Sequence, residues 1–192
     1  MPEGIAAAFD EVERRDADRA CRRVALVDGN RHQIQVIEAE AAARGLAVHI
    51  VLDVIHVLGY LWEAAKVFCG EDAEAAEAWV AERMSQVLPG RARTVAAGIR
   101  GRATRGRYAG AERKTLDRVV GYLDNNAVYM DYPHALANGW PIAGSSFSVP
   151  VSCLSSESEQ RDRGHDVAVF GARRLRRNLP ARTPGPSARL CL

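Results

Sequence analysis

Two aspartates, Asp28 and Asp53, each close a short apolar run and each precede a helix-like stretch. The runs are Val24-Ala25-Leu26-Val27 and Ala47-Val48-His49-Ile50-Val51-Leu52. In open α/β sheets, ligands and chemistry gather at the carboxyl ends of strands. Asp28, followed by Gly29, therefore reads either as a ligand for a hard divalent cation or as a cap on the helix after it. Asp53 and His56 form Asp-Val-Ile-His, three positions apart and so on one face of a helix. They could bind metal, touch nucleic acid or brace each other, and Asp53 could also be an N-cap. His49, inside a strand, reads as a core histidine. Between residues 91 and 114 lie Arg91, Arg93, Arg100, Arg102, Arg105, Arg107, Arg113 and Lys114, against one acid, Glu112. That surplus is either a phosphate-contacting surface or a pair of solvated helices.

The elements that must position these residues follow from periodicity. Unbroken apolar runs such as Val24 to Val27 suit strands covered on both faces. Arg31 to Arg44 reads as a helix with Ile34, Ile37 and Ala41 on one face and Gly45 as its stop. The strand–helix–strand order implies a parallel pair with a right-handed crossover. Val54 to Phe68 is a largely buried helix, with Leu58, Leu61, Trp62, Ala65 and Phe68 in register. Glu71 to Val87 and Thr115 to Met130 are amphipathic helices, the second interrupted at Asn125-Asn126. Asp131 to Gly144 is a turn-rich connection carrying Tyr132-Pro133, Asn138-Gly139 and Trp140-Pro141. Met1 to Arg23 reads as a helical lead-in with a thin apolar stripe, mostly solvated. From Ser145 the composition turns serine-rich and then arginine- and proline-rich, as expected of a disordered tail. The domain reading is 1–23 lead-in, 24–70 core, 71–143 helical insertion and 144–192 tail.

Across 192 residues, 47% are hydrophobic, which is enough for a core, and the net charge of +2 identifies no class of partner. Cys21, Cys69, Cys153 and Cys191 fit no zinc spacing and read as thiols in a reducing, cytoplasmic compartment. No signal peptide or membrane span is expected. There is no Gly-x-Gly-x-x-Gly, no P-loop and no Gly-x-Ser-x-Gly.

Val24-Ala25-Leu26-Val27-Asp28-Gly29-Asn30-Arg31-His32-Gln33-Ile34, followed by Ile50-Val51-Leu52-Asp53-Val54-Ile55-His56-Val57-Leu58-Gly59-Tyr60-Leu61-Trp62, resembles the bacterial insertion-sequence transposases of the ISKra group, mutator-like enzymes. Ala78-Trp79-Val80, Ala96-Ala97-Gly98-Ile99-Arg100, Met130-Asp131-Tyr132-Pro133 and Gly139-Trp140-Pro141-Ile142-Ala143 extend the likeness from Arg22 to Gly144. The resemblance implies a ribonuclease-H-like α/β fold with an α-helical insertion. Two Asp and one Glu would hold two Mg2+ or Mn2+ ions for DNA cleavage and strand transfer. Asp28 matches the second catalytic aspartate, a metal ligand. Asp53 and His56 match an Asp-x-x-His element, and the arginines from 91 to 114 fall in the insertion, where DNA is the expected partner.

The departures bear on activity. No strand-like Asp-Gly run precedes Val24, so the first catalytic aspartate has no counterpart. After Gly-Trp-Pro-Ile-Ala the family places an Ile-Glu-Gly helix, whereas this chain runs Gly144-Ser145-Ser146-Phe147-Ser148, and Glu157 and Glu159 are no substitute. The change after Ala143 resembles a reading-frame shift. The expectation is part of a transposase catalytic domain, inactive alone and stably holding no metal, able to pair with itself or with an intact transposase. The competing readings are a non-catalytic DNA-binding remnant and a small α/β nucleotide-binding domain.

Overall fold

The computed structural model describes residues 2–16, 21–144 and 168–172. Its sheet begins with β1 (Arg22–Val27), in which Val24 to Val27 are all buried, as an apolar run covered on both faces must be. Asn30 then starts α2 (Arg31–Ala43), its side chain accepting the His32 and Gln33 N–H groups at 3.0 and 3.3 Å. Ile34, Ile37 and Ala41 face inward, and Gly45, at φ +62°, ends the helix. The chain returns as β2 (Val48–Leu52), parallel to β1 with Val24 opposite His49 and Val27 opposite Leu52. α3 (Val54–Cys69) follows with Val57, Leu61, Ala64 and Ala65 buried.

Four helices build the rest: α3, α4 (Ala73–Val87), α5 (Ala92–Arg105) and α6 (Gly110–Asn126). Each packs on the next and α6 returns to α3, which closes a ring of helices. A 3-10 turn (Ala127–Tyr129) and α7 (Tyr132–Ala137) lead back to the sheet. One hydrophobic core runs through sheet and helices, from Ile5 to Trp140. The stretch read as an insertion thus shares its core with the strands.

Several expectations change. α1 (Pro2–Arg15) is not a solvated lead-in: Ile5, Phe9 and Val12 are buried, with Phe9 at 0% exposure. Three apolar positions at i, i+4 and i+7 are enough for a helix that packs along one side only, here against α2 and β3. α6 starts at Gly110, earlier than Thr115, and ends at Asn126, where the interruption was expected, before the 3-10 turn; the Asn126 Nδ2 donates to the Tyr122 carbonyl at 2.9 Å. Within the turn-rich connection, Asp131 caps α7, and Pro133 sits in its first turn, where no N–H is needed. Within the stretch read as a disordered tail, β3 (Ala168–Ala172) pairs antiparallel with β1, giving the order β2-β1-β3 with β1 as the central strand. The remainder of the tail reading, with Glu157, Glu159, Cys153 and Cys191, lies outside the described residues. Among the described residues, no helix is long and apolar enough to cross a membrane.

Candidate site at the carboxyl edge of the sheet

Asp28 and Asp53 are neighbours. Val27 pairs with Leu52, and the Asp53 N–H donates to the Val27 carbonyl at 2.8 Å, so the residues that end the two strands lie side by side. Their carboxylates are largely engaged by backbone. Asp28 Oδ1 accepts the Asn30 N–H at 2.7 Å; it props the residue that caps α2 and is not the cap itself. Asp53 caps α3, Oδ1 accepting the Ile55 N–H at 2.8 Å, while its Oδ2 accepts the Gly144 N–H at 2.9 Å. His56 is exposed in the first turn of α3, and no hydrogen bond joins it to Asp53 among the described residues, so they do not brace each other. Among the described residues no three His, Cys, Asp or Glu side chains gather to hold a metal. A centre for two divalent cations needs carboxylate oxygens free to converge. Asp28 and Asp53 by themselves are too few for one, and three of their four oxygens already accept N–H groups.

A layer of tyrosines supports this edge. The Tyr122 hydroxyl, from α6, donates to the Asp28 carbonyl at 2.9 Å, and its ring stacks on Tyr60 at 3.7 Å between centroids. Burial, then Tyr132, Tyr60 and the two carboxylates, push the Tyr122 phenol well above its ordinary range. Tyr132, wholly buried, is raised by burial and then by Asp53, and its hydroxyl has no hydrogen-bond partner among the described residues. Gly29 has φ +92°, and a Cβ there would lie 2.9 Å from Tyr122 Cε2 and 3.1 Å from Leu52 Cδ1. Gly29→Ala is therefore expected to destabilise by about 2–4 kcal/mol, from backbone strain and overpacking together. Tyr122→Phe, which removes one hydrogen bond, should cost about 1 kcal/mol. Urea denaturation of both variants checks this, and an unchanged Gly29→Ala midpoint would contradict the close approach.

The arginine segment divides in two. Arg100 pairs with Asp124 at 2.6 Å and Arg113 with Asp117 at 2.9 Å. The Arg102 guanidinium lies 4.3 Å over the Phe68 ring and donates to the Phe68 carbonyl at 3.3 Å. Arg91, Arg93, Arg105, Arg107 and Lys114 are exposed, with no carboxylate partner among the described residues. Arg91 and Arg93 stand where α5 begins; Arg105, Arg107 and Lys114 cluster round the α5–α6 turn, roughly 20 Å away by helix rise. Tyr108, edge-on to Phe68 at 5.5 Å, fixes that turn.

No family model matches the chain, and neither a curated protein nor a solved structure does. The likeness to ISKra-group transposases rests on the quoted residues. The tyrosine layer was not among the residues singled out from sequence. Tyr122 stands three positions after Val119, inside the apolar stripe of its helix, and that spacing was the available signal.

Proposed function

We propose that residues 22–144 are part of a DNA transposase catalytic domain of the ISKra group, with a ribonuclease-H-like sheet and Asp28 as one of its acids. The observation that carries this reading is the return of Ile142 to Gly144 to the Asp28 edge. The Val54 N–H donates to the Ile142 carbonyl at 2.8 Å, and Gly144 is held by Asp53. In the family that the chain resembles, a glutamate follows Gly-Trp-Pro-Ile-Ala. The chain leaves Gly144 at the edge where such a glutamate would meet Asp28, but residues 145–148 supply no acid.

Mg2+ or Mn2+ would activate the attacking oxygen and neutralise phosphate charge in such an enzyme. Asp28 would be the one ligand offered here, which is too few for that chemistry. The polypeptide alone is expected neither to nick nor to join DNA. Incubating it with supercoiled plasmid and either cation checks this. Strong nicking that disappears in Asp28→Ala would overturn the inactivity. An Asp-Gly strand and an Ile-Glu-Gly helix encoded in the flanking DNA are expected under the family reading.

The five exposed basic side chains favour a second, compatible reading: the chain binds DNA phosphates without chemistry. Homotypic or mixed assembly with an intact transposase is a further expectation of the resemblance.

A further inference from the structure

At the opposite, amino-terminal edge of the parallel strands lies an open groove of about 400 Å3 lined by Cys21, Arg22, Arg23, Val48, His49, His134 and Trp140, with Ala47 at its rim. Its size suits one small organic ligand. One wall is aromatic: His49 lies 4.5 Å from Trp140 and 5.2 Å from His134, centroid to centroid, and His134 meets Trp140 edge-on at 5.0 Å. The other wall is cationic. Arg23 is 6% exposed; its Nη2 is held by Asp16 at 2.7 Å, yet its buried Nε–H finds no acceptor among the described residues. A buried donor without an acceptor is costly. Arg22 is exposed beside it, and Asn138 Oδ1, at 3.2 Å from Nη1, orients its guanidinium. Asp16 neutralises the buried Arg23, which leaves the exposed Arg22 guanidinium to meet an anion.

We propose that this groove binds a mononucleotide, its phosphate on the exposed Arg22 guanidinium and its base against the aromatic wall of His49, His134 and Trp140. Guanidinium donors match phosphate geometry, and any nucleobase offers a face for stacking. The site stands apart from Asp28 and from the α5–α6 turn, so it does not depend on the transposase reading.

The test is titration of the full chain with adenosine 5′-monophosphate, followed by amide chemical shifts and calorimetry. Saturable shifts are expected at Arg22, Arg23, Val48 and His49. Removing the phosphate, with adenosine as ligand, or the exposed guanidinium, in Arg22→Ala, should each weaken binding about tenfold. His134→Ala should weaken it severalfold through lost ring contact. No saturable binding, equal affinity for adenosine, shifts confined to the α5–α6 turn, or displacement by a short DNA duplex would each overturn the proposal. Shift mapping on the unaltered chain decides the matter even if a variant fails to fold.

Discussion

Replacing Phe9 by alanine should destabilise the protein by about 3–5 kcal/mol, the usual cost of emptying a closed aromatic site. Phe9 is fully buried between Ile5 and Val12 on α1, and the Arg44 guanidinium lies 5.7 Å over its ring. Arg44 fastens α1 to the end of α2, reaching Asp10 at 2.6 Å, Glu13 at 2.8 Å and Glu40 at 2.7 Å. These contacts hold its guanidinium even more firmly protonated than usual, chiefly through the hydrogen bond to Asp10 and then those to Glu13 and Glu40. Ion pairs open to solvent contribute little to stability, so Arg44→Ala should cost less than Phe9→Ala. Urea denaturation of the two variants measures the ranking. A loss below about 1 kcal/mol for Phe9→Ala would place α1 off the core, as the sequence reading had it.

The second large effect concerns DNA. Changing Arg105, Arg107 and Lys114 together to glutamine should lower affinity for duplex DNA about a hundredfold at low salt. The slope of log affinity against log salt should fall by about 3, one phosphate for each charge removed. Arg100→Gln with Arg113→Gln should change little, because Asp124 and Asp117 already hold those side chains. Fluorescence anisotropy over a potassium chloride series separates the two sets. Equal losses in both would mean that net charge alone draws DNA, and no binding at low salt would remove the DNA reading altogether.

Local pattern carried the order of elements. Val24 to Val27, Ile34 with Ile37, and Leu61 with Ala65 obey their periods so plainly that β1, α2, β2 and α3 fall within a residue or two of expectation. The α1 misreading came from judging a stripe by its width: Ile5, Phe9 and Val12 are few, but one narrow face is enough for a helix that packs on α2 and β3. α6 was started late because Gly110 and the charges at 112–114 lack an apolar rhythm, although Leu116 to Leu123 below them is deeply packed. The carboxyl-edge position of Asp28 and Asp53 was legible because a parallel pair allows nothing else. That Asp53 Oδ2 holds Gly144 was not, since the partners are 91 positions apart and no local spacing encodes such a contact. The basic segment looked uniform in sequence: Asp117, four positions after Arg113 on the same helix, was a legible partner, whereas only the packing of α5 on α6 brings Asp124 to Arg100.

The bond between Asp53 and Gly144 bears on the order of events during synthesis. When the second strand leaves the ribosome, the groups that finish its far end are still some ninety codons from translation. Until they arrive, Asp53 can cap α3 through Oδ1, but its second oxygen and the Val54 N–H face solvent. A nascent chain arrested before Ile142 should therefore show the helices protected from amide exchange while the strand ends still open freely.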